Sequence, residues 1–387
     1  MIRIVVAALI ALAAGAAAAE DVKVGLIGTF SGPFASWGPQ FQRGAELYMA
    51  EHGDTVGDAR IVLLTRDDGG PNPEVGKQLA QELLARDKVA FLAGMTFTPT
   101  AMAVAPLATE AKTPLLVWNA AASVITRRSP YIVRTSTTLW QLSPPMARWA
   151  IKNGIKEVFV TVSDYAPGHD ARDAFKQAFS DAGGKIVGEL PIPLQTSDFA
   201  PYLQRIKDAK PPAVFVFMPS GAPSIAFLKS WAALGLREAG IRLLGTGETD
   251  DQELPAIGDA ALDVVSTYYY TACLDTPRNK AWTAAFRKKY GDAVIPSFAA
   301  VTAYDGMHLV YEVVRKHGAR FTGDQAMAVM RGARIDSPRG PLIIDAEERD
   351  TIQTVYIRKV ARVDGKLCNA VIDSYPDQKD LWKVLNK

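Results

Sequence analysis

Two doubly wound parallel-sheet lobes of α/β class are predicted for this 387-residue chain from three observations. Short, continuous apolar runs alternate with segments of helical periodicity, and the alternation begins a second series near midchain. Hydroxyl-bearing, small and aromatic residues gather where the apolar runs end. Strands that read as unbroken apolar runs are covered on both faces, as in a parallel sheet flanked by helices.

The first segment is not part of that architecture. Arg3 precedes an apolar run from Ile4 to about Ala14 and a string of alanines, and Ala17-x-Ala19 suits signal cleavage, so residues 1–19 are expected to be an export signal. An uncleaved anchor is disfavoured because the run is shorter than the roughly 18 to 20 apolar residues a membrane helix needs. The mature chain then begins at Glu20 in an oxidising extracytoplasmic space. No cysteine stands at the cleavage point, so a lipid anchor is not indicated.

The elements follow in order. Val22 to Ile27 reads as a strand, and Gln40 to His52 as a helix with Phe41, Ala45, Tyr48 and Met49 on one face. The unit recurs: Ile61 to Leu64 precedes a helix carrying Val75, Leu79 and Leu83, Val89 to Ala93 precedes a helix starting near Pro99, and Leu115 to Trp118 follows. After Tyr131 to Arg134 the second series opens with a helix holding Trp140, Met146 and Trp149. Strands Val158 to Val162, Ile186 to Leu190, Ala213 to Met218 and Ile241 to Leu244 then alternate with helices near Asp170 to Ala182, Asp198 to Ala209 and Ser224 to Leu234. The remainder holds strands near Leu262 to Tyr270, Leu342 to Ile344 and Ile352 to Lys359, with helices near Thr276 to Tyr290, Ser297 to His317 and Asp324 to Arg331. It is too small for a third lobe, so it completes the first two and the chain crosses between lobes more than once.

Composition narrows the function. Lys+Arg number 43 against 41 Asp+Glu, and loss of Arg3 with the signal leaves 43 − 1 = 42, a near balance unlike the basic excess of a nucleic-acid binder. The two cysteines, Cys273 and Cys368, either pair as a disulfide or remain buried thiols. Neither CxxC nor HExxH spacing occurs, so no structural metal or cofactor is expected. Walker and GxSxG sequences are absent too, and Gly245-Thr246-Gly247-Glu248-Thr249-Asp250 breaks the dinucleotide pattern at Asp250. Asp67-Asp68 with Arg66 reads as a solvated turn in preference to a cation site, and Arg127-Arg128 as a solvated basic helix end.

Ligands of open parallel sheets bind beyond the carboxyl ends of the strands, near helix amino termini. In the first lobe those ends carry Phe34, Trp37, Thr96, Phe97, Thr98, Asn119, Ala120 and Ala121; in the second, Tyr165, Ser220, Gly221 and Glu248. Hydroxyls and helix-terminal amides suit a carboxylate, and the rings can enclose an apolar body.

The chain resembles the substrate-binding proteins of ABC importers of the leucine/isoleucine/valine-binding type. The likeness is carried by Val24-Gly25-Leu26-Ile27-Gly28-Thr29-Phe30-Ser31-Gly32-Pro33 with Trp37-Gly38, Arg66-Asp67-Asp68, Pro114-Leu115-Leu116, Ile132-Val133-Arg134-Thr135, Asp198-Phe199 and Ser337-Pro338-Arg339-Gly340-Pro341. It implies the periplasmic-binding-protein type I fold, with three crossing strands near Thr135, Tyr268 to Ala272 and Arg339. Lobe 1 is then 20–135 with 272–339, and lobe 2 is 136–271 with 340–387. By position, Thr98 and Ala120 to Ser123 fall where such proteins hold the ligand carboxylate, Trp37 replaces a tyrosine, and the acid that pairs with an amino-acid ammonium falls on Gly247 or, with a one-residue slip, on Glu248. Ser163-Asp164-Tyr165-Ala166-Pro167-Gly168 and Asp198-Phe199-Ala200-Pro201-Tyr202 are similar to the branch serving aromatic acids.

The resemblance thus implies a periplasmic, monomeric, non-catalytic carrier that closes over a small organic acid, such as a benzoate or hydroxycinnamate, and delivers it to membrane permease subunits. The alternatives are a branched-chain amino acid, amide or urea as ligand, an exported α/β hydrolase using His169 as base, and a ligand-sensing module.

Overall fold

The computed structural model describes residues 19–387, so all of the expected signal except Ala19 lies outside the described residues. The first lobe is laid down by β1 (Glu20–Gly28), α1 (Trp37–His52), β2 (Thr55–Val56), β3 (Ala59–Asp67), α2 (Pro73–Ala85), β4 (Phe91–Gly94), α3 (Thr98–Glu110), β5 (Leu115–Val117) and β6 (Ile132–Arg134). Its six strands run in the order β2-β3-β1-β4-β5-β6, parallel apart from the β2 edge. The period of two along β1 divides its neighbours. Val22, Val24 and Leu26 join the cluster that holds Phe41 of α1, whereas Ile27 belongs with Ala80, Leu83, Val104 and Ala108 from α2 and α3.

The second lobe continues with α4 (Leu139–Lys152), β7 (Glu157–Ser163), α5 (Ala166–Asp181), β8 (Lys185–Ile192), α6 (Ala200–Ala209), β9 (Ala213–Phe217), α7 (Ala222–Ala233), β10 (Arg242–Gly245), α8 (Leu254–Ile257) and β11 (Val265–Tyr268). The chain then returns with α9 (Pro277–Tyr290) and α10 (Phe298–His317), whose Val301, Met307, Val310 and Val314 complete the first-lobe core beside Phe41 and Tyr48. After α11 (Gly323–Met330), β12 (Arg334–Ser337) and β13 (Gly340–Ile344), the strands β14 (Thr351–Val363) and β15 (Lys366–Gln378) extend the second sheet, and α12 (Leu381–Leu385) packs on α4. The strand order there is β12-β13-β14-β11-β10-β9-β7-β8, with β15 on the outer side of β14.

The last crossing lies later than Arg339. Hairpin β12-β13 and the turn after it stay against the first lobe: Arg134 N donates to Arg349 O at 2.9 Å, Arg349 Nε to Ile132 O at 3.1 Å, and Ser337 Oγ to Asp305 Oδ2 of α10 at 2.9 Å. The passage comes at Thr351 to Gln353, whose side chains both donate to Ser136 O of the first crossing, at 2.7 and 2.9 Å. Ser337 and Gly340 are paired within the β12-β13 hairpin, whose β13 in turn pairs with the start of β14 at Ile343 and Ile352.

Cys273, just past the second crossing, is bonded to Cys368 of β15, with Cα atoms 6.2 Å apart. Arg127 is no free basic end. It pairs with Glu348 at 2.6 Å, donates to the carbonyls of Asn386 and Lys383, and lies over the Trp382 ring, so it anchors the C-terminal helix.

Candidate functional site

The carboxyl ends of both sheets face each other across a small cavity lined by both lobes. Its volume is about 40 Å³. One water needs about 10–15 Å³ of such space, so the cavity takes a few waters. The first lobe contributes Trp37, Thr96, Phe97, Thr98, Asn119 and Ala121; the second contributes Leu142, Tyr165, Pro167, Phe217, Met218, Pro219, Ser220 and Gly247. Thr137, Leu139, Tyr268 and Phe298 close it from the crossings and the first turns of α4 and α10.

No lining residue carries a formal charge. The first-lobe wall carries two oriented hydroxyls. Thr96 Oγ1 accepts the Thr29 N–H at 3.2 Å, and Thr98 Oγ1 accepts that of Ala122 at 3.4 Å, so each threonine hydroxyl has its own proton free to donate. Thr98 is also the first residue of α3, with Phe97 as N-cap in extended conformation, so unpaired N–H groups and the positive end of a helix dipole meet at this wall. Asn119 is oriented by donating to Thr96 O at 2.7 Å. This wall suits a carboxylate.

Rings make up much of the rest. Tyr165 stacks on Phe217 with centroids 6.1 Å apart, and Trp37 and Tyr268 both meet Phe298 edge to face, at 4.8 and 4.9 Å. The lobes are in contact here. Trp37 Nε1 donates to Ser220 O at 3.1 Å, and Ser36 Oγ to Glu253 Oε1 at 3.0 Å, each bond running from the first lobe to the second.

Trp37, Thr96, Phe97, Thr98, Asn119, Ala121, Tyr165 and Ser220 are therefore brought together, and four expected contacts are not. Phe34 lies behind the wall, edge-on to Phe97 at 4.8 Å. Ala120 is drawn back by its N–H bond to Met95 O at 2.9 Å. Gly221 is the N-cap of α7 at φ 122°, packed on Pro33 and Phe34 at the interlobe seam.

Glu248 is the main correction. Its carboxylate is turned beneath the loop, where it accepts from Met218 N at 2.8 Å, Thr246 N at 2.6 Å, Gly247 N at 3.0 Å and Thr246 Oγ1 at 3.1 Å. Burial raises its pKa, and the backbone donors oppose that shift. It ties the loop to the end of β9 and does not line the cavity. Gly247 does reach the cavity, but Tyr268 covers it: a Cβ there would stand 2.7 Å from the ring.

Other motifs lead away from chemistry. His169 Nε2 meets Asp164 Oδ1 at 2.8 Å, but both are about half exposed and neither lines the cavity. Asp67 and Asp68 accept from Phe30 N, Gly69 N, Thr29 Oγ1 and Gly70 N, so they shape the loop after β1. Among the described residues no group of three or more His, Cys, Asp and Glu is disposed to hold a metal. A larger crevice of about 440 Å³ opens beside Trp149 and Trp231, at the amino-terminal ends of β10 and β11, away from the ends where parallel sheets bind ligands.

Two α/β lobes, joined by crossing strands and meeting over a small cavity, define a ligand-capturing binding protein. The chain belongs to the periplasmic binding protein family, whose model matches residues 21–366. It is 45% identical over 375 residues to the Leu/Ile/Val-binding protein homolog 6 of Brucella melitensis, covering 96% of each chain. A solute-binding protein of an ABC transporter from Rhodopseudomonas palustris, solved with 4-hydroxybenzoate, is 44% identical with a TM-score of 0.92, covering 95% of this chain and 100% of that one. Another from R. palustris BisB5, solved with 3,4-dihydroxybenzoic acid, is 48% identical with a TM-score of 0.90, covering 94% and 99%. The protein is accordingly an ABC-transporter solute-binding protein.

Proposed function

We propose that this protein captures a monocyclic aromatic carboxylate, a benzoate, by lobe closure in the periplasm, and presents it as a monomer to permease subunits without chemical change. The observation that carries this reading is a closed, ring-lined cavity with neutral donors on one wall and no charged side chain anywhere in its lining. A carboxylate is served by the threonine hydroxyls and the α3 amides; an ammonium would be buried with no counter-charge, which is strongly unfavourable. The small volume favours a single ring over the longer hydroxycinnamates. The aromatic acids bound by the R. palustris proteins agree in kind. Among the described residues no helix is long and apolar enough to span a membrane.

In mechanism, the ligand contacts both lobes only when they meet, so its affinity difference shifts the open and closed populations. The lobes are 20–135 with 272–350 and 138–270 with 354–387, pivoting on the three crossings between them. A thermal-shift screen of the chain from Glu20 tests the reading, since saturation at a hundred times Kd stabilises the folded state by about 2.7 kcal/mol. Benzoates should raise the melting temperature and be recovered unchanged, and leucine should not. Stabilisation by leucine and by no benzoate would refute it.

A further inference from the structure

The first-lobe wall accounts for the carboxylate end of such a ligand. The second-lobe wall has two polar groups that nothing yet accounts for. Ser220 lines the cavity and is 3% exposed; its carbonyl oxygen takes the Trp37 indole N–H, but its Oγ bonds nothing among the described residues. Tyr165, half-buried, lines the cavity from the start of α5, and its phenol hydroxyl has no hydrogen-bond partner among the described residues. Folded proteins leave few buried polar atoms without a partner, and those beside a binding cavity are where a ligand atom completes the set.

The rest of the second-lobe lining, with Phe217, Met218 and Pro219, is apolar and makes no such demand. The two hydroxyls also belong to the lobe opposite the threonines, so they face the part of the ligand remote from its carboxylate. Unsubstituted benzoate has only C–H there. A hydroxyl on the ring can donate to one of these groups and accept from the other.

We propose that Ser220 Oγ and Tyr165 OH form a subsite for a hydroxyl on the ligand's ring, which makes ring-hydroxylated benzoates the preferred cargo over benzoate itself. This rests on the aromatic-carboxylate reading and adds to it the residues that set ring specificity. A site built around a substrate hydroxyl rejects the analogue that lacks it, because its own polar groups are then left unpaired.

Calorimetric titration of the wild type, Ser220→Ala, Tyr165→Phe and the double variant with benzoate, 3-hydroxybenzoate, 4-hydroxybenzoate and 4-fluorobenzoate tests the subsite. The wild type should bind its better hydroxybenzoate about tenfold or more tighter than benzoate, as one to two neutral hydrogen bonds imply. The fluoro analogue, close in size but no donor, should follow benzoate. In the double variant the ratio should fall to about twofold, because hydroxybenzoate loses its partners and benzoate no longer leaves two hydroxyls unpaired. The wild-type comparison alone is decisive should a variant not fold: a ratio near one, or fluorobenzoate tracking the hydroxybenzoates, overturns the subsite. So does a double variant that keeps the ratio; in each of these results benzoates still bind and the parent reading stands. If no benzoate binds the folded wild type, the parent reading falls and the subsite with it.

Discussion

Replacing Ser36 by alanine isolates lobe closure from ligand contact. Ser36 is half-buried and is not in the cavity lining, yet its hydroxyl donates to the Glu253 carboxylate across the seam at 3.0 Å. Glu253 is 6% exposed, and burial raises its pKa while the Ser36 bond lowers it, so the carboxylate has an interest in the contact. Hydrogen bonds to charged groups contribute about 1.5–3 kcal/mol when buried, and partial solvent access at Ser36 brings the figure to about 1–1.5 kcal/mol. Since the bond exists only when the lobes meet, its loss lowers the closed population, and apparent affinity should fall about 5- to 13-fold. The loss should be the same for every ligand bound and should appear mainly as faster release, because encounter involves the open form. Stopped-flow binding with two benzoates of different affinity measures both rates. An unchanged affinity, or a loss differing between the two ligands, would refute the claim that this bond acts through closure.

Three further outcomes follow from the geometry. Glu248→Gln puts an amide nitrogen among backbone N–H donors and should cost about 2–3 kcal/mol of unfolding free energy while leaving the order of ligand preference intact; chemical denaturation and a ligand panel check it, and a selective loss of one ligand class would contradict the structural role. Asp380, the N-cap of α12, and Asp305, paired with Arg339, each have carboxyls pushed up to about 6, chiefly by burial. A raised folded pKa means stability that is fully present below the unfolded value near 4 and is lost as pH rises through about 6, by up to roughly 3 kcal/mol per group. Asp380→Asn should remove one of these two contributions, and urea melts at pH 4, 5, 6 and 7 with the same slope as the wild type would exclude it. Replacing both Cys273 and Cys368 by serine opens a link between residues 95 apart and should lower stability by about 2–4 kcal/mol; equal melts for variant and wild type, both without reductant, would speak against it.

The alternation of strands and helices was legible because burial imposes it. Val22, Val24 and Leu26 had to be apolar on one face of β1, and Phe41, Ala45 and Tyr48 on one face of α1, so the periodicity is the core seen in one dimension. The strand-end loops followed from the direction rule for parallel sheets, and they supplied Trp37, Thr96, Thr98, Asn119, Tyr165 and Ser220. Two elements escaped although a local signal existed. Asp364-Gly365, at φ 49° and 79°, is a two-residue hairpin turn between β14 and β15, and Asp380 caps α12 by accepting from Trp382 N. Other lining residues had no local signal. Tyr268 and Phe298 reach the cavity because a crossing strand and a helix start converge there over long separations in sequence. The late third crossing was hidden for the same reason, since Ser136 meets Thr351 and Gln353 across more than half the chain.

The choice between an amino acid and a plain carboxylic acid turns on one loop, and its geometry explains why residue type alone could not decide it. An acidic side chain one residue along from the expected place could have reached the cavity by a small slip in the backbone. The slip is blocked from both sides. Four donors already hold the Glu248 carboxylate under the loop, and the Tyr268 ring occupies the space above Gly247 that a larger side chain would need. Moving Glu248 outward would strip Met218, Thr246 and Gly247 of buried hydrogen bonds, each costly to leave unmade. It would also bring a second negative charge toward a wall arranged for a carboxylate. Neutral donors and a helix terminus hold one anion without a fixed counter-ion, whereas a zwitterion needs an anion in the protein as well. On the proposed reading, the loop that offers an ammonium no partner also leaves the second-lobe wall free for a ring, with Tyr165, Phe217 and Tyr268 around it.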